Sequence, residues 1–320
     1  MKNKILSTIL GATLLFNLGG VGTVTNASEN SLTQIGNGIK LYSEVKGAGD
    51  YTVVFESGYG DGTETFDYGT ETIVSNWGAI QDNISKKANT IAYDRAGVKN
   101  SSDTGNIVMS DKDKLDVLMG EKIDTNQYDY NGTTKTARDK AMNLYELLKK
   151  KELPAPYVIV AHSLGGHIAI EFAKMYGDEL AGIVFVDASG RNQLGGNWGF
   201  FENYLPEMIE PFFSNFTNAD GNLDDILVGQ AQVYEDNNAL RNIPITHIES
   251  DPINTVGNDP IQLEAWSEVR NKQVKDILSL SDDSKYVYVP ESTHYIHLSH
   301  TQLVIDEINE FLDTRIDINK

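Results

Sequence analysis

Residues 156–173 read Pro156-Tyr157-Val158-Ile159-Val160-Ala161-His162-Ser163-Leu164-Gly165-Gly166-His167-Ile168-Ala169-Ile170-Glu171-Phe172-Ala173. Residues 157–160 form a short continuous apolar run rich in β-branched side chains, the pattern of a strand covered on both faces. From Ile168 onward the residues favour a helix. Between them the chain must turn sharply around Ser163, so the positions two before and two after it must be nearly free of side chain. Ala161 and Gly165 meet that requirement, and no other Ser in the 320 residues does. The pattern alone is common, because Ala or Gly in the first position admits many matches. Its placement between a buried strand and a helix is what makes it specific, since a serine there is exposed at a helix N-terminus, where backbone N–H groups stabilise developing negative charge.

The same style of strand recurs outward in both directions. Residues 51–55, 90–93, 183–186, 245–248 and 286–289 are brief, almost wholly apolar or β-branched runs. Helical spacing separates them: in 135–151, Ala137, Ala141, Leu144, Leu147 and Leu148 recur opposite Lys, Arg and Glu, and 265–280 and 301–314 behave alike. Alternating strands and helices predict an α/β domain with a mostly parallel sheet flanked by helices. Two segments interrupt the alternation. Residues 98–134 are polar and rich in Asp and Asn, with one apolar patch at 115–119. Residues 190–243 carry Trp198, Phe200, Phe201, Tyr204, Phe212, Phe213 and Phe216 without a strand pattern. Long insertions in a compact domain are usually functional, and the second is expected to be a mobile helical cap over the site.

Lys2 and Lys4 precede an apolar stretch over 5–16, then small and polar residues ending Thr25-Asn26-Ala27. A basic start, a short apolar run and small residues describe an export signal, with cleavage expected after Ala27 and a mature domain over 28–320. A retained anchor is the alternative, but Ser7, Thr8, Gly11, Thr13 and Asn17 interrupt the run, and a spanning helix needs about 20 predominantly apolar residues. The expected destination is extracellular. Formal net charge is −20, and losing 1–27 removes two lysines and no acid, giving −22. Such a surface repels phosphate backbones and anionic lipid heads, so the expected partner is a small molecule, with neither nucleic acid nor stable membrane insertion. The absence of cysteine excludes disulfides, a thiol nucleophile and thiolate-bound zinc.

From about 33 to 317 the layout resembles the α/β-hydrolase superfamily, near its esterase-like and peptidase-like members. Several blocks carry the resemblance in order. Phe55-Glu56-Ser57-Gly58-Tyr59-Gly60 looks like the loop after the third strand, with Ser57-Gly58 where many members have His-Gly. Trp77 stands where members often carry Trp. Tyr93-Asp94-Arg95-Ala96-Gly97 is similar to the turn after the fourth strand, although Lys99 and Asn100 depart from its usual Gly-rich continuation. Residues 156–166 match best, and Ser292-Thr293-His294-Tyr295-Ile296-His297-Leu298 looks like the loop bearing the catalytic histidine. The resemblance implies an oxyanion hole built from the backbone N–H groups of Leu164 and Tyr59. Acyl transfer passes through a tetrahedral oxyanion, so the chemistry requires such donors in any case.

A serine nucleophile needs a histidine base within hydrogen-bond reach. Six histidines are present. His162 is expected to point away from the turn, His167 lies on the following helix, and His247 lies inside a strand. His294 falls in a loop just beyond the last strand and is the expected base. His297 and His300 are read as surface or supporting residues. The His-x2-His-x2-His spacing has no acidic or cysteine ligand set beside it, so neither a metal nor any other cofactor is expected. The third member is an acid between Ser163 and His294 in the chain. Asp187 ends a strand at a position some lipase-like members use. Asp251 follows the next strand, the commoner location, but without the usual Gly-x-x-Asp spacing. Asp187 is preferred, Asp251 is the alternative, and Glu249 is third.

These residues predict a secreted serine hydrolase acting on a small, apolar ester or related acyl compound through an acyl-enzyme on Ser163. The same triad would support aminopeptidase, lactonase or C–C bond hydrolysis, since fold does not fix substrate. Haloalkane and epoxide cleavage are disfavoured, because relatives with those activities carry Asp at the position of Ser163. A catalytically silent ligand-binding homologue is the alternative from another class.

Overall fold

The computed structural model describes residues 28–216, 219–235, 238–251 and 259–316; the expected export signal lies outside them. The core is an eight-stranded sheet in the order β1-β2-β6-β3-β7-β8-β9-β10. β1 (Ser28–Gln34) and β2 (Lys40–Lys46) run antiparallel at one edge. The other six are parallel: β3 (Thr52–Glu56), β6 (Asn89–Tyr93), β7 (Tyr157–His162), β8 (Leu180–Val186), β9 (Ile245–Glu249) and β10 (Ser284–Tyr288). A hairpin of β4 (Glu64–Asp67) and β5 (Thr72–Ser75) stands apart.

The apolar runs in the sequence are explained by which face each residue serves. Val54, Ile159, Ala161, Ile183 and Phe185 point to one side, against Ala141, Leu144 and Leu148 of α3 (Ala137–Lys150) and Ile168 and Phe172 of α4 (Gly165–Tyr176). Val53, Phe55, Val158, Val160, Val184 and Val186 point to the other. There they meet Ile80 and Ile84 of α1 (Gly78–Ile84) and Val304, Ile308 and Phe311 of α10 (Thr301–Thr314). Side chains alternate faces along a strand, so a strand covered on both sides must be apolar at every position.

The two interruptions in the pattern fold together. Residues 98–134 contain α2 (Asp111–Leu118), and 190–243 contain α5 (Gln193–Tyr204), α6 (Ile209–Ser214) and α7 (Leu223–Tyr234). Ile107, Met109 and Val117 from the first pack with Leu194, Phe213, Ile226 and Leu227 from the second, in one cluster that also contains Leu164 and Tyr59. The polar character of 98–134 hid this from the sequence, because few of its residues face inward. Two carboxylates of α7 supply the joint: Asp225 accepts from Ile107 N at 3.1 Å, and Asp224 from Met109 N at 2.8 Å. α8 (Pro260–Leu278) flanks α5, with Trp266 against Phe200.

A buried ion cluster ties this cap to the sheet. Arg95, in the loop after β6, donates from Nη1 to Glu56 Oε1 at 2.6 Å, and from Nε to Asp220 Oδ1 at 3.0 Å. Asp220, just before α7, also accepts from Gly60 N at 2.9 Å and pairs with Lys140 of α3. All four charged side chains are buried. Removing one partner from such a cluster leaves uncompensated charge in low dielectric. Arg95→Met is therefore expected to lower unfolding free energy by about 3–5 kcal/mol, read as a reduced urea midpoint. An unchanged midpoint would mean that the cluster contributes nothing to holding the fold.

Candidate active site

The site forms at the carboxyl ends of the parallel strands, where α/β sheets place their ligands. β7 ends at His162, and Ser163 follows with φ of +51° before α4 begins. That left-handed conformation is costly for a serine. It is held by the packing around it: a Cβ on Gly165 would sit 2.7 Å from Glu56 O at the end of β3. Asp187 follows β8 with φ of +44°, and its N–H donates to Ile248 O of β9 at 2.8 Å. His294 lies between β10 and α9 (Ile296–Ser299).

These three residues meet in a line. His294 Nε2 is 3.0 Å from Ser163 Oγ, and His294 Nδ1 is 2.5 Å from Asp187 Oδ2. Asp251, the alternative acid, instead accepts from Glu291 N at 3.0 Å, while its own N–H donates to Ser292 Oγ. Glu249 receives His247 Nε2 at 2.7 Å and the Arg270 side chain. Burial would raise the carboxyl of Asp187, but the Arg270 guanidinium, then hydrogen bonding and charge from His294, hold it well below the usual carboxylate range. It therefore stays ionised, as an acceptor for Nδ1–H must.

Leu164 follows Ser163 in the chain, and the loop that carries Tyr59 passes beside it, where a Cβ on Gly58 would stand 3.2 Å from Ser163 Cβ. The Tyr59 loop is fixed from beneath, where Arg95 Nη1 donates to Ser57 O at 2.8 Å and Nη2 to Gly58 O at 2.5 Å. Ser57 is a buried hub. Its Oγ donates to Gly62 O and accepts from Asn76 Nδ2 and Trp77 Nε1. Tyr59 Oη donates to Gly221 O at 2.6 Å, and its ring meets Phe216 of the cap at 5.0 Å. Sequence reasoning missed the roles of Arg95, Asp220 and Arg270. Arg95 stood in a recognised turn but gave no hint of its partners, and Arg270 sat in an ordinary helical pattern.

One expectation about the histidines needs correction, and one open alternative is decided. His162 does not point away from the site: it lies under His294, with Nε2 2.9 Å from His294 O and ring centres 4.7 Å apart. Adjacency to Ser163 misled because the sharp turn sends Ser163 forward and leaves His162 on the buried face of β7. His297, read as a surface or supporting residue, is the buried supporting one. It stacks on Trp77 at 4.4 Å, and Nε2 meets Asn76 Oδ1 at 2.8 Å. His300 lies apart, beside Ser299, so the three histidines of the 294–300 run face different partners.

Burial, then the neighbouring His294, pushes His297 down to about 3, and burial takes His167 down to about 4. His162 falls well below its ordinary value through burial, then His297 and His294. Unfolded histidines protonate near their ordinary value of about 6.5, so at lower pH the unfolded chain binds more protons and stability falls as pH falls. Replacing His297 by Gln is expected to make the stability lost between pH 7 and pH 5 smaller by about 2 kcal/mol. Urea denaturation at the two pH values measures this; equal losses in parent and variant would contradict it.

Comparison with known proteins agrees with this architecture. The model of the alpha/beta hydrolase family matches residues 53–307. The uncharacterized protein YqjL of Bacillus subtilis is 24% identical over 259 residues, covering 81% of this chain and 82% of that protein. A thermophilic esterase from Thermogutta terrifontis superposes with a TM-score of 0.54 at 16% identity, covering 90% of this chain and all of the other. An epoxide hydrolase, CorEH, gives 0.50 at 14% identity over 90% and 99%. At such identities the structural likenesses speak to fold, while the family match spans most of the chain. This protein belongs to the alpha/beta hydrolase family.

Proposed function

We propose that this chain is a serine hydrolase that cleaves a small ester or related acyl compound through an acyl-enzyme on Ser163. The observation that carries the reading is the line from Ser163 Oγ through the His294 ring to the ionised Asp187. As Ser163 Oγ attacks the carbonyl carbon, His294 Nε2 takes its proton. Asp187 holds the Nδ1–H tautomer and stabilises the imidazolium that forms. The N–H groups of Leu164 and Tyr59 receive the oxyanion. Nε2 then returns the proton to the leaving alcohol as the carbon–oxygen bond breaks, and a water activated by the same base releases the acid.

The apolar cluster containing Tyr59, Leu164, Phe213 and Ile226 borders the nucleophile, which favours an uncharged acyl or alcohol group. Ser163 supports an ester substrate over an epoxide, since the latter chemistry in relatives starts from Asp. The strongly acidic surface disfavours anionic polymers. The protein acts outside the cell, exported by residues 1–27.

Fluorophosphonate labelling of the mature protein, with p-nitrophenyl ester turnover alongside, tests this. Wild type is expected to label and Ser163→Ala and His294→Ala to lose labelling and turnover. Asp187→Asn should lose about 10³–10⁴-fold in kcat, whereas Asp251→Asn should stay within about threefold, as expected of a group outside the hydrogen-bonded line. Folded wild-type protein that neither labels nor turns over short esters would sink the enzyme reading in favour of ligand binding.

A further inference from the structure

The Asp187 carboxylate is gripped on both oxygens. Oδ2 receives His294 Nδ1 and Ser250 Oγ, the latter at 2.8 Å. Oδ1 receives Ser250 N at 3.2 Å and Arg270 Nη2 from α8. The same guanidinium serves a second carboxylate: Nε is 2.8 Å and Nη2 2.5 Å from Glu249 Oε1 at the end of β9. Two buried carboxylates thus share one guanidinium.

Without that cation the two acids would face each other in low dielectric, and one would take up a proton. A protonated Asp187 has no charge with which to stabilise an imidazolium. The planar fork of arginine also does what a point charge cannot, because it fixes the plane of the carboxylate it meets. We propose that Arg270 is a positioning residue for catalysis, which keeps Asp187 ionised and turned toward His294 Nδ1 by sharing its guanidinium between Asp187 and Glu249. The proposal rests on the serine-hydrolase reading for its meaning in turnover. Its geometric content stands on these contacts.

Charge at this point also bears on His294. The titratable groups around Asp187 come from every packed element: Arg270 from α8, Glu249 and His247 from β9, Tyr286 from β10, His162 from β7, and His294 itself. Arg270 is the one guanidinium among them. Its removal lets one of the two facing carboxylates hold a proton to higher pH, so the acid limb of activity, which needs Asp187 ionised, moves up.

The test uses the mature protein with Arg270→Gln, Arg270→Lys and the double variant Arg270→Gln/Glu249→Gln. The double variant removes both partners, so it leaves no second carboxylate facing Asp187 and carries the test if Arg270→Gln does not fold. His294 is followed by NMR titration of its ring signal, assigned by its loss in His294→Ala, beside pH profiles of p-nitrophenyl ester turnover. For Arg270→Gln we expect kcat to fall on the order of 10²-fold with KM little changed, the acid limb of kcat to move up by about one pH unit, and the His294 midpoint to differ from wild type. Arg270→Lys should restore most of the midpoint and less of kcat. The double variant should keep the kcat loss. A folded Arg270→Gln or double variant with wild-type kcat and wild-type His294 midpoint overturns the proposal. If wild type fails to label at Ser163, the hydrolase reading falls, and the NMR midpoints still decide whether Arg270 governs the Asp187–His294 pair.

Discussion

The first turn of α4 lies so close on the end of β3 that a Cβ at Gly165 would meet Glu56 O at 2.7 Å and Ser57 O at 3.0 Å. That approach follows from the register, since Glu56, the last residue of β3, pairs with Ala161 across the β3–β7 ladder, and β7 runs only one residue further, to His162, before the chain turns. With no side chain at Gly165 the chain turns at once, and Ser163 is driven into its left-handed conformation. The same closeness brings the loop after β3 over the serine, where a Cβ on Gly58 would stand 3.2 Å from Ser163 Cβ. The sharp turn at Ser163 and the placing of the Gly58 loop beside it are therefore one steric event. A larger residue at 165 would disturb both together, because overpacking against backbone has no flexible neighbour to yield.

Electrostatics then fixes what sterics has brought together. The loop after β3 sits on Arg95, which lies between Glu56 and Asp220, and the triad acid sits on Arg270, which lies between Asp187 and Glu249. In each cluster one guanidinium settles two carboxylates that burial opposes. Buried ion pairs are weak evidence for net stability, because desolvation offsets most of the attraction. Their effect here is geometric. Arg95 has five donors in a rigid fork and spends them on Glu56, Asp220 and the carbonyls of Ser57 and Gly58, so the loop has one position. Because Asp220 belongs to the cap, the same contact sets how the cap rests on Tyr59.

Five of the six parallel strands were legible in the sequence because each is covered on both faces and so is mostly apolar, and the sixth, the exposed edge strand β10, because its residues are aromatic and β-branched; each lies within a few residues of the run that marks it. The antiparallel edge was not. In β2, Leu41 and Ser43 are buried while Lys40 and Glu44 are not, so the alternation is broken by a polar residue at a core position. The β4–β5 hairpin exposes Phe66 and Ile73, the reverse of what a buried strand signals. At the site, Ser163 and His294 could be read because strand ends fix them locally. The acid stayed open between Asp187 and Asp251, since both follow strands and what separates them is the tertiary placement of α8. Arg270 and Asp220 act across 83 and 125 residues of chain, distances over which sequence pattern carries no pairing information.

The histidines show how one proton site is singled out from several. Trp77, His297, His162 and His294 follow one another in ring contact, with centres 4.4 to 4.7 Å apart. At such distances a charge on one imidazole opposes a charge on the next. His162 and His297 are buried, and each uses Nε2 while Nδ1 finds no protein partner among the described residues. Protonating either would place an unpartnered N–H and a charge in the core, so both stay neutral. The His294 side chain is about half exposed, and it alone of the three faces a carboxylate. Neutral rings beneath it lend shape without competing for the proton, and His162 fixes the backbone by its bond to His294 O. A chain with six histidines can thus present a single imidazole to Ser163, because burial silences the rings that support it.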